Sequence, residues 1–254
     1  MTPFAPPLDA EALRAMYPES DGKRMSDNMV QARWIFLFYG NLSALLAGRA
    51  DAFVAADNLW YPVEGKPKKR LAPDVYVVFG RPKGDRGSYM QWREDGIPLT
   101  VAVEILSPRN TERQMARKLR FYDRHGVEEY YVYDPDRNTL EVYTRAETTL
   151  RRHRNIATFA SPRLGIRFEM TAPEMTVYGP DGRRFIPFDE LRRNADDAAK
   201  LAGAAAKQAD DAAKRADDAD RLNVRLKELG RKVRRGQATR EEVVELDRLE
   251  DETA

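Results

Sequence analysis

The chain has 254 residues, 42% hydrophobic and 33% charged, with no cysteine, two histidines and a formal net charge of +2. That suffices for one domain of ordinary size plus an extension; it excludes disulfides and Cys-based zinc sites, and with only His125 and His153 it argues against a His-rich zinc site or a Ser-His hydrolase. A net charge this small gives no global electrostatic reason to bind nucleic acid.

Residues 1–24 start Pro-rich and carry a short helix around Asp9 to Met16. We expect them to be loosely attached. Met1 to Leu8 lacks both the basic start and the apolar core of a secretory signal. Ser26, Asp27 or Asn28 can cap the first long helix, which runs to about Ala47 and stops at Gly48. Trp34, Ile35, Phe36, Leu37, Phe38, Leu42, Leu45 and Leu46 make it too apolar for a surface helix, so it should pack onto a sheet. Trp34 to Ala47 is interrupted by Gly40 and Asn41, and no stretch is long and apolar enough to span a membrane. The absence of cysteine fits a reducing compartment, so the expectation is a soluble cytoplasmic protein.

Phe53 to Tyr61 reads as a strand, Pro62 to Pro67 as a turn, and Lys66, Lys68, Lys69 and Arg70 then lead into Pro73-Asp74. The basic cluster is either a solvated hairpin tip or a hold on a phosphate backbone. Arg81 to Ser88 is a turn-rich loop whose G-x-x-G spacing is not a phosphate loop, because no Gly-Lys-Ser/Thr follows.

Val75 to Phe79 and Val101 to Leu106 are apolar on both faces, as in strands buried on both sides. Asp74 and Glu104 interrupt this apolar surface. An ionised carboxylate there is costly unless a cation or hydrogen bonds compensate. If neighbouring strands bring the two together, their repulsion asks for a hard cation such as Mg2+ or Mn2+. Lys118 follows by arithmetic. Ser107 lies about 10 Å beyond Glu104 at roughly 3.3 Å per residue. A helix starting near Thr111 and running back returns about 10 Å by Lys118 at roughly 1.5 Å per residue. Met115, Leu119 and Tyr122 form the buried stripe of that helix and Lys118 flanks it, so its amine can reach the level of Glu104. Arg109, Arg113, Arg117, Arg120 and Arg124 decorate the same helix, either toward phosphate or as a solvated face countered by Glu112 and Asp123.

Gly126 ends the helix. A strand at Glu129 to Tyr133 and a hairpin partner at Leu140 to Tyr143 follow, with further short strands at Arg151 to Ile156, Ile166 to Met170 and Met175 to Tyr178. From Asp189 the composition changes. Residues 189–254 hold 15 Lys or Arg and 17 Asp or Glu, leaving 28 of the chain's 43 and 24 of its 41 for the mildly basic front. Residues 195–229 fall into sevens with alanine recurring at the first and fourth positions, the spacing of a coiled-coil seam. We expect a long helix that can self-associate, or else a single solvated helix, interrupted at Gly230 and Gly236, then a last helix at Arg240 to Glu250.

Pro73-Asp74, the strand Val101 to Leu106 with Glu104, the helix with Lys118 and the strand Glu129 to Asp134 together resemble the PD-(D/E)XK nuclease superfamily, most closely its Uma-type branch, known as putative restriction endonucleases, over roughly residues 25–170. The resemblance implies an α/β, restriction-endonuclease-like core: a mixed central sheet flanked by helices. It implies an endonuclease that hydrolyses DNA phosphodiesters. Asp74, Glu104 and the Ile105 backbone carbonyl would hold Mg2+ or Mn2+, and Lys118 would assist the attacking water. The superfamily pattern has Glu-x-Lys, whereas Leu106 stands at the third position here, so Lys118 is a lysine displaced onto the helix. Leu106 equally supports a second reading, a nucleic-acid- or protein-binding module on a nuclease fold with an oligomerising tail. Asp27, on the opening helix, and Asp57 are candidate accessory residues; Lys68, Lys69, Arg70 and Arg113 are candidate phosphate contacts. The expected organisation is an arm at 1–24, an endonuclease-like domain at 25–188 and a helical or coiled-coil tail at 189–254, with a homo-oligomer forming through 195–229.

Overall fold

The computed structural model describes residues 10–22 and 25–253. The Pro-rich start at residues 1–9 lies outside the described residues. The chain divides into two compact units between Glu190 and Leu191.

In the first unit the helices are α1 (Ala10–Met16), α2 (Met29–Leu45) and α3 (Glu112–Arg124). The strands are β1 (Ala52–Ala56), β2 (Trp60–Tyr61), β3 (Val75–Phe79), β4 (Tyr89–Met90), β5 (Val101–Ile105), β6 (Glu129–Asp134), β7 (Thr139–Ala146), β8 (Thr149–Arg152), β9 (Thr158–Ala160), β10 (Arg167–Glu169) and β11 (Thr176–Tyr178). Six of them form a mixed sheet in the order β1-β3-β5-β6-β7-β8. Neighbours are antiparallel except β5 and β6, which are parallel and therefore need a crossover; α3 supplies it.

Strand alternation sorts the sheet into two faces. Val75, Val77, Val101, Val103, Ile105, Tyr131 and Tyr133 pack with Trp34, Ile35, Phe38 and Leu42 of α2 and with Phe168 and Val177 of the small sheet β9-β10-β11. Tyr76, Ala102, Tyr130, Val132 and Tyr143 face the other way and pack with Tyr122, Met115 and Leu119 of α3. α3 thus packs the stripe its apolar residues predict; α2 packs onto the sheet as expected, but with one face only, and Phe36 stays exposed. The small sheet is fastened by Glu129, which is buried and accepts hydrogen bonds from Tyr131 Oη (2.8 Å), Ser161 Oγ (2.5 Å) and the Arg163 N–H (2.8 Å).

Several expectations need correction. The stretch Phe53 to Tyr61 is two strands, not one. Asp57 adopts the left-handed region (φ 49°), which ends β1 and turns Trp60–Tyr61 to pair in parallel with Tyr89–Met90. The expected strand at Arg151 to Ile156 lies earlier, as β8, because the hairpin turn is tight at Glu147 (φ 56°); β9 was not anticipated. The segment 10–22 is anchored: Tyr17 is buried with Leu59 and Tyr61, its Oη accepts from the Gly65 N–H (2.6 Å), and Tyr61 Oη donates to the Pro18 carbonyl (2.6 Å).

The tail carries α4 (Phe188–Arg234) and α5 (Arg240–Thr253). Gly230 does not interrupt α4, since one glycine inside a helix costs only about 1 kcal/mol. Gly236 does close the turn, at φ 65°, with the Gln237 N–H bonded to the Lys232 carbonyl (2.9 Å). α5 folds back on the end of α4. Leu229 and Leu246 are buried there, and Arg225–Glu245 (2.8 Å) and Lys232–Glu242 (2.6 Å) pair across the hairpin. The alanine seam from Ala195 to Ala219 stays exposed. Among the described residues no helix is long and apolar enough to cross a membrane.

Candidate active site

The register of β3 on β5 pairs Val75 with Val103. One step further sets Asp74 across from Glu104, whose side chain meets α3, and two steps set Pro73 across from Ile105. Proline has no N–H to give, so the ladder ends at that position. Ile105's own main-chain groups are taken by side chains instead. Its N–H donates to Asp74 Oδ2 (2.7 Å), and its carbonyl accepts from Gln31 Nε2 (2.9 Å). The Pro73-Asp74 pair therefore opens the sheet locally and leaves two carboxylates facing each other at the opening.

Lys118 completes the cluster. Thr111 and Gln114 form a reciprocal capping box that starts α3 where the arithmetic places it, the Gln114 N–H donating to Thr111 Oγ1 (3.2 Å) and the Thr111 N–H to Gln114 Oε1 (2.9 Å). Asp27 holds this start from the other side. It accepts from Ser107 Oγ (2.6 Å) and Arg109 Nη1 (3.2 Å), tying the β5–α3 connection to the N-terminus of α2. Two turns into α3, Lys118 Nζ lies 2.6 Å from Glu104 Oε2, the lysine side chain 22% exposed and the glutamate 2%. Tyr122, one turn further, donates from its Oη to Glu104 Oε1 (2.5 Å). Glu104 is thus gripped at both oxygens.

The electrostatics follow from this geometry. Burial first, and then the Glu104 charge, push Asp74 up to about 8; Lys118, the Ile105 N–H and Gln31 act in the opposite sense. Burial pulls Lys118 down, but Glu104 and Asp74 outweigh it, so the ammonium is held above its ordinary range. Once Asp74 gives up its proton, two buried carboxylates face one lysine, and a divalent cation would neutralise the excess negative charge and favour that proton's release. The donor chemistry fits Mg2+ or Mn2+, which are bound by one or two carboxylates and otherwise by water and phosphate oxygens. Asp74 and Glu104 are the residues placed to hold it. The Ile105 carbonyl already serves Gln31 and has its second lone pair for such a role. Among the described residues no group of three or more His, Asp or Glu gathers into a larger metal cage.

Asp27 does not join the cluster; nor does it cap α2, since Asn28 Oδ1 accepts the Gln31 N–H (2.8 Å) and is the cap. Asp57 lies nearer: its N–H points to the Pro73 and Asp74 carbonyls (3.2 and 3.3 Å), and its carboxyl is pushed up by burial and by Asp21 but lowered by Lys118. Lys68 and Lys69 are exposed, and Arg70 reaches back to Tyr61 Oη (3.3 Å). Arg113, Arg117, Arg120 and Arg124 are exposed along α3 with no carboxylate partner among the described residues; Asp123, expected to counter them, pairs with Arg145 (3.5 Å). A cleft of about 600 Å³ opens on the same sheet face, lined among others by Leu106, Met115, Tyr130 and Glu141, but it contains none of Asp74, Glu104 or Lys118.

Sequence reasoning missed Gln31 and the polar role of Tyr122. Tyr122 carried a signal, a hydroxyl on a buried stripe that needs a partner. Gln31, the one polar residue that α2 buries, carried a similar one.

The sequence profile of the Uma2 family, described as "Putative restriction endonuclease", matches residues 25–181. No curated protein matches. Among solved structures, the crystal structure of "a putative nuclease belonging to DUF820" from Anabaena variabilis ATCC 29413 is similar at a TM-score of 0.41 and 14% sequence identity, over 54% of this chain and 75% of that one.

Proposed function

The chain belongs to the Uma2 family of "putative restriction endonucleases", and on that premise we propose that it is a Mg2+- or Mn2+-dependent endonuclease hydrolysing phosphodiester bonds of DNA. The catalytic unit is residues 25–188, and 189–254 is a helical tail that pairs two copies weakly through the alanine seam of 195–229. The observation that carries the reading is the convergence of Asp74, Glu104 and Lys118 at the point where Pro73 ends the β3–β5 ladder.

A bound divalent ion would polarise the scissile phosphate and lower the pKa of an attacking water. The remaining work falls to the chain. Asp74 and Glu104 would hold such an ion. Tyr122 and Gln31 fix Glu104 and Ile105 so that the donors are pre-set. Lys118 orients the water and steadies the charge growing on the phosphate; its stem is packed, and it stays protonated beside Glu104. Leu106 vacates the usual lysine position, and Lys118 reaches the same carboxylate from the helix. Arg113, Arg117, Arg120 and Arg124 recur at helical spacing with no carboxylate partner among the described residues. Together with exposed Lys68 and Lys69 they supply phosphate contacts.

Supercoiled plasmid incubated with Mg2+, Mn2+ or EDTA tests this. We expect metal-dependent nicking by the native chain and a loss of about a hundredfold or more in Asp74→Asn and Lys118→Ala, as for removal of a group acting on transition-state charge. Absence of nicking by every form, with the variants folding like the parent, would leave a binding module on the nuclease fold.

A further inference from the structure

The tail is nearly neutral in sum, yet its charge is segregated. Residues 189–220 hold six Lys or Arg against nine Asp or Glu, and 241–254 one against seven, whereas 221–240 hold eight against one. Of these eight, Arg221 pairs with Asp217 (2.8 Å), and Arg225 and Lys232 pair with Glu245 and Glu242. Lys227, Arg231, Arg234, Arg235 and Arg240 are exposed and have no carboxylate partner among the described residues.

Their placement is ordered. Successive helical residues turn by about 100°. Lys227, Arg231, Arg234 and Arg235 therefore share roughly 100° of arc, while Arg225, Leu229 and Lys232, which meet α5, lie on the far side of the helix. Four cationic residues, Lys227, Arg231, Lys232 and Arg235, line a shallow cleft of about 580 Å³ with Val224, Glu228 and Gln237. The helix dipole favours the cations of the last turn of α4, Arg231, Lys232 and Arg234, but its attraction has faded by Lys227, more than a turn earlier. Arg240 opens α5, where the dipole disfavours a cation. Glu228, which also lines the cleft, is engaged by Arg225 and Lys232, and Glu245 and Glu242 of α5 pair with the same two residues, so the cations of this face stay exposed without a carboxylate partner among the described residues.

We propose that the α4–α5 hairpin is a second, sequence-independent nucleic-acid contact, binding the phosphate backbone of a DNA duplex through Lys227, Arg231, Arg234, Arg235 and Arg240. This rests on the reading of the chain as a DNA nuclease. An anionic membrane fits less well, because the basic face has no apolar stripe beyond Val224 to enter the headgroup region. The other anionic surface at hand is the acidic 189–220 stretch of a second copy.

The test is fluorescence anisotropy of the full-length chain on a labelled DNA duplex in EDTA, across a salt series. The triple variant Lys227→Ala/Arg231→Ala/Arg235→Ala should bind on the order of tenfold or more weakly, with the log–log salt slope reduced in magnitude by about 2–3, near 0.9 per lost phosphate contact. Circular dichroism checks the helix, and the pair Lys227→Gln/Arg231→Gln, which keeps helix propensity, carries the same test with a smaller slope change. Unchanged affinity and slope in both variants overturn the proposal. So does an altered sedimentation of the triple variant with unaltered DNA affinity, which would assign the stripe to a second copy. Plasmid nicking by the native chain separates the two readings: nicking with stripe-independent binding overturns this proposal alone, and stripe-dependent binding without nicking overturns the nuclease alone.

Discussion

Asp74 is where a single side chain couples folding, pH and metal. It titrates near 3.8 when free and at about 8 in the folded protein, because burial and then Glu104 oppose its charge. Between those values the folded chain holds a proton that the unfolded chain releases. Its contribution to stability is complete below about pH 4 and is lost as pH rises through 8, by up to about 1.4 kcal/mol per pH unit. In EDTA the urea midpoint of the native chain should therefore fall from pH 5 to pH 8, and Asp74→Asn should flatten that fall. Equal slopes in the two proteins would show that Asp74 is not the group responsible. Tyr122 sets a second residue-level expectation. Its hydroxyl is a buried donor to a carboxylate, a bond worth about 1.5–3 kcal/mol. Tyr122→Phe should lose about that much in urea unfolding and should also weaken Mn2+ binding, read by calorimetry, since Glu104 is then held only by Lys118.

At the scale of the element, α3 does the placing. It is amphipathic, capped by Thr111 and Gln114, and ended by His125 and Gly126, whose φ of 87° a side chain adopts reluctantly. Its length and start decide whether Lys118 meets Glu104. Thr111→Ala removes half of the capping box and should cost about 1 kcal/mol of stability, seen as a lowered thermal midpoint. Because Lys118 lies two turns inside the helix and is also fixed by its contact with Glu104, nicking at low temperature should fall less than threefold by the proposed reading. A collapse of activity in a folded Thr111→Ala protein would mean that α3 has no stable seat without its cap. The β3–β5 ladder is the other decisive element. Its early end at Pro73 gives Ile105 side-chain partners in place of main-chain ones, and so links α2, through Gln31, to both site strands.

The whole molecule joins a sheet-based unit to a long helical tail of a different composition. The tail's alanine seam is exposed within one chain, and alanine buries little apolar area, so any pairing through it is weak. We expect sedimentation to show a concentration-dependent dimer of the full-length chain and a monomer for Ala205→Asp/Ala212→Asp. An unchanged sedimentation profile in the variant would remove the seam from the oligomer. The hairpin at the end of the tail stands apart from the seam, because its basic face is turned away from α5 and its pairing is already met by Arg225 and Lys232.

The α/β class, the opening helix packed on a sheet, both site strands, the turn into α3 and the reach of Lys118 were legible in the sequence. All of these depend on local periodicity, capping chemistry and rise per residue, which act over a few neighbours. It also exposed the tail through its change of composition. It misjudged Phe53 to Tyr61, because whether an alternating apolar run stays one strand depends on the hydrogen bonds that Pro73 and Asp74 offer Asp57. It misjudged Gly230, because the neighbours on both sides outweigh one residue's propensity. The residues that complete the site were not legible, because their contacts are long-range. Gln31 and Tyr122 come from helices on opposite faces of the sheet, 74 and 18 residues from their partners in sequence; a polar group on a buried stripe calls for some partner, but which one it meets is fixed only once the sheet is assembled between the helices.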